Sequence, residues 1–247
     1  MTVAHFQSFA EGRGWRAGFG QAIRHRTALT LDQVLPLLID AEASALGGSW
    51  VALLVSYEAA PALDSAWSVK SGPGFPLAWM AVFDKPLATG PGQVANHSFK
   101  TSMFEPDIDR ARYDAAVHAI KDYIEAGDTY QVNFTFPLRG SVTGDAWAGF
   151  QSIGRSQGAA YSAYVETGTH RILSFSPELF FETRGDQIVT RPMKGTMQRG
   201  RWLEEDLQRV AQLQASAKDR AENVMIVDLL RNDLGKVCEF GSVEVPE

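Results

Sequence analysis

Cysteine occurs once in the 247 residues, as Cys238. A single thiol excludes a disulfide framework and any multi-cysteine zinc site within the chain. A reduced, cytoplasmic setting is the simplest reading of that scarcity. Histidine is sparse too. His5, His25, His97, His118 and His170 contain no His-x-x-x-His pair, so the commonest helical zinc pattern is missing. No apolar run approaches the ~20 residues of a membrane-spanning helix. Met1 to Trp15 holds no basic stretch followed by a long apolar one, so no secretory leader is expected there. Positive charge is in deficit, with 23 Lys and Arg against 29 Asp and Glu. The net charge of −6 argues against a general binder of nucleic acid or of anionic membranes. Neither a phosphate-cradling glycine loop, nor a dinucleotide fingerprint, nor a Gly-x-Ser-x-Gly elbow occurs.

Apolar residues, by contrast, make up 45% of the chain, with 14 Phe and 6 Trp. That is ample for a core and is incompatible with extended disorder. Residues 30 to 46 read as a helix, with Thr30 as its cap and Leu31, Val34, Leu35 and Leu38 at helical spacing before Gly47-Gly48. "SWVALLVSYEAAP" and "PLAWMAVFDKP" read as strands, and the pieces "KSGPGFP" and "ATGPGQ" as loops. The texture changes near residue 100, which divides an N-terminal part, 1–100, from a second part, 101–247. The second part opens on a helix at 107–126, with Tyr113, Ala116, Val117, Ile120 and Ile124 on one face and Gly127 as its stop. "TYQVNFTFPL", "YSAYVET", "RILSFSPELFFET" and "IVT" are β-like, with "RGDQ" a turn before the last. Two helices follow, over "RWLEEDLQRVAQLQAS" and "SAKDRAENVMIVDLLRNDLG". The second is expected to turn Ala221, Val224, Met225, Ile226 and Leu229 to a core and to end at Gly235. The order of elements gives a mixed α+β class rather than regular βαβ alternation.

Three groups have chemical potential. Lys194 sits in "TRPMKGTMQRG", where Pro192 restricts the backbone and Gly195 allows close approach to a ligand. The amides of Gly195 and Thr196 can receive an oxyanion. A lysine amine attacks only when neutral, which takes desolvation or a neighbouring cation such as Arg191. A solvated turn lysine has the same spacing. Glu178 lies in "SFSPELFFE" beside Leu179, Phe180 and Phe181, and apolar surroundings suit a general acid or base. A strand-edge glutamate facing water is the alternative. Asp219 and Glu222 stand three residues apart on a helix and so share a face that can hold Mg²⁺. A solvated acidic face reads the same way. His118 belongs on the polar side of its helix.

Taken together, "GDTYQVNFTFPL", "ILSFSPELFFE", "TRPMKGTMQRG" and "KDRAENVMIVDLLRNDLGKVCEFGSVEV" resemble the chorismate-utilising enzymes in order and spacing, over residues 107 to 246. Lysine in the Pro-x-Lys-Gly-Thr turn is similar to the aminodeoxychorismate synthase component I branch; anthranilate synthases carry alanine there. The resemblance implies an anthranilate synthase component I-like fold, with β-sheets packed by outer helices, present here in part. It implies Lys194 as a covalent nucleophile on chorismate and Glu178 as the proton carrier for the leaving hydroxyl. Gly195 and Thr196 would face the substrate, and Glu222, with Asp219, would hold Mg²⁺. Ammonia would come from a separate glutamine amidotransferase, because "KVCEF" around Cys238 has no amidotransferase elbow. The family's domain normally continues beyond "GSVEVPE" with further substrate and metal groups. The chain is therefore expected to be a piece of a longer protein or a shortened form, inactive by itself. An anthranilate or isochorismate synthase, or a non-catalytic module that binds a partner or ligand, are the alternatives.

Overall fold

The structure, a computed structural model, describes residues 2–12, 14–70, 72, 74–87 and 98–246. The expected loop "ATGPGQ" and His97 lie outside the described residues, as do two positions of "KSGPGFP". The chain begins with three strands, β1 (Val3–Gln7), β2 (Arg16–Phe19) and β3 (Arg24–Ala28), and the helix α1 (Leu31–Leu46). β4 (Trp50–Val55), a 3₁₀ turn at Tyr57–Ala62 and β5 (Ala78–Phe83) follow. Short strands β6 (Phe99–Thr101) and β7 (Glu105–Pro106) precede α2 (Arg110–Ala126), β8 (Leu138–Arg139), β9 (Val142–Gly144) and α3 (Ala146–Gln157). The last part holds β10 (Tyr161–Glu166), β11 (Arg171–Ser176), β12 (Leu179–Arg184), β13 (Gln187–Arg191), α4 (Leu203–Ala215) and α5 (Ala217–Leu234).

Packing separates two compact units: Met1–His5, Arg16–Gln157 and Tyr164–Leu173 form one, and Phe6–Trp15, Gly158–Ala163 and Ser174–Glu247 the other. They interleave along the chain. This division by packing is distinct from the change of sequence texture near residue 100.

In the first unit β5 is the central strand of an antiparallel sheet of order β3-β5-β4, and all six of its residues are buried. Alternation sends Ala78, Met80 and Val82 to one face, where they meet Ala28 and the Val34, Leu37 and Ala41 stripe of α1. Phe83 packs on the other face against Phe19, with ring centroids 5.0 Å apart. Arg24 and Arg26 of β3 grip Asp40 of α1, Arg24 with both nitrogens at 2.7 and 2.6 Å. Hydrogen bonds from Arg24 and then from Arg26 hold the Asp40 carboxyl well below the usual carboxylate range. Thr30 occupies the N-cap of α1, yet its side chain makes no capping bond. Gln33 reaches back over the helix start, its Oε1 accepting the N–H of Leu29, the residue before the cap, at 2.8 Å.

The second unit holds the β12–β13 hairpin, closed by the two-residue turn Gly185-Asp186, and the helices α4 and α5. Ser216 caps α5 by accepting the Asp219 N–H at 3.3 Å.

Three expectations are corrected. "YEAAP" is a 3₁₀ turn, with Pro61 inside it, rather than the end of a strand. "TYQVNF" forms no ladder: residues 130 to 137 are outside any strand, and Tyr130 is 85% exposed. β-forming side chains make a strand only where a neighbour supplies the hydrogen bonds. Neither α2 nor α5 buries a residue. Val224 is 67% exposed, Leu229 and Ala221 are exposed, and Met225 and Ile226 are only half-buried.

Met80 is fully buried, so Met80→Ala should cost about 2–5 kcal/mol in urea unfolding. The folded Asp40 carboxyl titrates lower than in the unfolded chain. Its contribution is therefore present above an unfolded value of about 3.9 and lost as the pH falls through the folded one. Asp40→Asn should flatten that acid limb in a pH series of unfolding midpoints.

Candidate active site

The lysine turn starts where β13 ends, at Arg191, and spans the gap to α4. Its backbone is held at three points within the second unit. The Met193 N–H donates to Glu178 Oε1 at 3.0 Å. Gly195 has φ +72°, and a Cβ built there would lie 3.0 Å from the Asp219 Cβ and 3.3 Å from Asp219 Oδ1. At the far end the Gly200 N–H donates to Asp206 Oδ1 at 2.8 Å, and a Cβ on Gly200 would strike the backbone nitrogen of Asp206 at 2.2 Å. At Gly200 a Cβ has no room against backbone, and at Gly195 the +72° φ and the tight approach both favour glycine. Carboxylates at the start of α4 reinforce the far end. Arg199 chelates Asp206, the Arg201 N–H donates to Glu205 Oε2 at 2.7 Å, and Arg209 donates to the Gln198 carbonyl oxygen at 2.8 Å. Acidic side chains are favoured at a helix N-terminus. The Asp206 carboxyl is brought down to about 2, chiefly by Arg199 and then by the Gly200 N–H.

Lys194 is half-buried, and no carboxylate among the described residues lies within salt-bridge distance of its Nζ. Thr196, one step past Gly195, is exposed. Glu178 lies in the joint between β11 and β12. Ser176 brackets it, donating to the Glu178 carbonyl oxygen at 2.9 Å and accepting the Glu178 N–H at 3.2 Å. The expected apolar enclosure of Glu178 is not found. Glu178 is exposed, Phe180 is 81% exposed, and Leu179 is only half-buried. Neighbours in sequence alternate faces along a strand, and among the described residues the β12–β13 hairpin is a sheet of two strands.

Asp219 and Glu222 are both half-buried in the first turns of α5. Among the described residues no group of three or more His, Cys, Asp or Glu gathers at one point, so Asp219 and Glu222, three residues apart on one helix, belong to no closed cage. An open arrangement of one or two carboxylates suits Mg²⁺, which keeps oxygens of water and substrate for its remaining positions. His118 is exposed on α2, its Nδ1 2.7 Å from the Asp114 carbonyl oxygen, in keeping with a polar-face residue.

The structure thus joins Glu178, the 193–195 backbone and Asp219, three stretches far apart in sequence. Sequence reasoning did not find the Glu205 and Asp206 anchor. Its signal was the "EED" run directly before an apolar helical stripe. Also unforeseen are two grooves in this unit. One of about 700 Å³ is lined by Trp15, Tyr161, Leu179, Phe181, Arg184 and Arg191. Another of about 420 Å³ runs between Pro192 and Asn223, Val227 and Leu230 of α5.

Residues 90–247 match the chorismate binding enzyme family. The chain belongs to that family. Among curated relatives, this chain is 40% identical over 171 residues to aminodeoxychorismate synthase component 1 of Klebsiella aerogenes, covering 69% of this chain and 36% of that protein. It is 41% identical over 147 residues to the enzyme of the same name from Escherichia coli strain K12, covering 60% and 32%. Anthranilate synthase component 1 of Thermus thermophilus is 36% identical over 162 residues, covering 66% and 34%. The chain therefore spans about a third of the length of these relatives. Among solved structures, a Bacillus anthracis protein assigned as a 2,3-dihydroxybenzoate-specific isochorismate synthase superposes with a TM-score of 0.68 at 18% identity, over 100% of this chain and 62% of that one. The expected α+β fold of the chorismate-utilising enzymes is borne out.

The Met193–Glu178 bond is measurable apart from any activity. Glu178→Ala should remove about 1 kcal/mol of protection from one amide. Hydrogen exchange of the Met193 N–H should then quicken roughly fivefold while the β12–β13 amides keep their rates.

Proposed function

We propose that the protein carrying this chain is an aminodeoxychorismate synthase component, converting chorismate and ammonia to 4-amino-4-deoxychorismate for 4-aminobenzoate and folate synthesis. The observation that carries the reading is the three-way junction at the lysine turn. The backbone on one side of Lys194 is bonded to the Glu178 carboxylate, and on the other side it packs on Asp219. The names of the Klebsiella and Escherichia relatives support the same branch.

Chorismate must exchange a hydroxyl for an amine at C4. In the proposed route the Lys194 amine attacks C2. The two ring double bonds shift, and the C4 hydroxyl leaves with a proton from Glu178. Ammonia then attacks C4, the double bonds shift back, and the lysine amine departs from C2. One difficult substitution becomes two allylic ones, which is covalent catalysis. Glu178 has one carboxylate oxygen engaged by the Met193 N–H, which orients the other for the proton. Gly195 and Thr196 present their backbone to the substrate. Glu222, with Asp219 beside it, would hold Mg²⁺, which supplies positive charge to anchor a substrate carboxylate. Ammonia would be delivered by a separate glutamine amidotransferase, in keeping with the "component 1" in the relatives' names. A cytoplasmic setting suits this chemistry, and no helix of the described residues is long and apolar enough to cross a membrane.

The test is chromatographic identification of the product from the gene product bearing this sequence, given chorismate, Mg²⁺ and an ammonium salt. Lys194→Ala should abolish the 4-amino product, and Glu178→Gln should slow it by roughly 10²–10⁴-fold. A wild-type protein that yields only the 2-amino product, anthranilate, would overturn the reading.

A further inference from the structure

The proposed mechanism leaves unexplained how a lysine in an irregular segment is aimed. Pro192 and the β13 strand fix where the turn begins, and the Glu205 and Asp206 anchor fixes where it ends. Between these points Met193 is tied by its N–H, but nothing of that kind holds the residue after Lys194. Gly195 instead lies flat against the first turn of α5. Its φ of +72° turns the chain through the left-handed region, and its missing side chain lets the backbone descend onto Asp219. The separation of 3.0 Å between a notional Cβ and the Asp219 Cβ is too short for any other residue to occupy without displacement. Asp219 is itself a firm surface, because its own N–H is held by the Ser216 cap.

We propose that Gly195 and Asp219 form a steric seat, and that Gly195 is the positioning residue for Lys194. The seat acts by shape. It fixes the peptide that follows Lys194, and with the Met193–Glu178 bond before it sets the direction in which the lysine Cα–Cβ bond leaves the chain. The proposal rests on Lys194 being the reacting amine only for its kinetic consequence; the seat itself is a property of this chain.

The hairpin tip supplies a built-in control. Gly185 also has positive φ, +57°, but a Cβ there would meet nothing within 4 Å. Gly195→Ala and Gly185→Ala therefore impose a similar backbone strain, and only the first also collides. The lysines of the 247-residue chain are reductively ¹³C-methylated, and the Lys194 resonance is assigned by its loss in Lys194→Arg. Gly195→Ala should move that resonance selectively, while Gly185→Ala leaves it in place; circular dichroism establishes that both variants are folded. In the complete protein, Gly195→Ala should lower kcat on the order of 10²-fold, as expected for a misplaced nucleophile, a loss in kcat that exceeds any change in the KM for chorismate. Gly185→Ala should keep the wild-type rate. A Lys194 resonance unmoved in Gly195→Ala overturns the seat, as does equal damage from Gly185→Ala. If the resonance moves as expected but no 4-amino product forms in the wild type, the functional reading fails and the seat stands. Should Gly195→Ala fail to fold, Asp219→Leu tests the same contact from the helix side, with the same shift of the Lys194 resonance expected and its absence overturning the proposal.

Discussion

The second unit depends on two places where glycine backbone comes close against a helix start, with no room for a Cβ at Gly200 and little at Gly195. At Gly195 and Gly200 the segment that leaves β13 presses onto the starts of α5 and α4. Such contacts are made by subtraction, through the absence of a side chain, and they need no buried core. That matters here because neither α4 nor α5 buries a residue. Where burial is slight, position has to come from directional bonds and hard contacts. The acidic first turn of α4 supplies the bonds, each between a carboxylate and a backbone N–H or a guanidinium. Exposed ion pairs contribute little stability one at a time. Their value lies in register: a chelating Arg199 and an N–H at Gly200 meet one carboxylate, so the chain can approach Asp206 in one orientation only.

The first unit works the other way. Its order comes from β5, whose six residues are apolar and buried on both faces. This strand was legible in the sequence because a continuous apolar run bounded by turns has few other fates. Helix α1 was legible for the same reason, through the spacing of Val34 and Leu38 and the Gly47-Gly48 stop. The fate of "TYQVNF" was not, because strand formation is a property of pairs and no single segment encodes its neighbour. The apolar face of α5 shows the same limit. Spacing at 3.6 residues states which side chains share a face and is silent on whether a layer lies against it.

At the site, the residue types were legible and their surroundings were not. Lys194, Glu178, Asp219 and Glu222 could be picked out because each sits in a quoted motif of the family. The apolar neighbours of Glu178 suggested enclosure, yet strand alternation and an open hairpin leave it exposed. What the sequence concealed altogether is that its carboxylate caps a backbone N–H of the lysine turn. Contacts of this sort depend on a meeting between residues 15 apart through a hairpin, with a register shift between Leu179 and Glu182. No local pattern reports such a shift in advance.

The way the turn is held also bears on how one scaffold can serve several reactions. Every anchor of the lysine turn uses backbone or a neighbouring residue: the Met193 N–H, the bare Cα of Gly195, the Gly200 N–H. The Lys194 side chain itself makes no salt bridge among the described residues. A side chain with no ion pair to lose and only partial burial can be exchanged at modest cost to the fold, since the large destabilisations come from lost core packing, unpaired buried groups or backbone strain. The alanine that the sequence resemblance sets against this lysine would then be a change of chemistry at a position whose backbone is held by its neighbours. A framework built from glycines and carboxylates keeps the turn in place, and it does so through the backbone, whatever side chain stands at position 194.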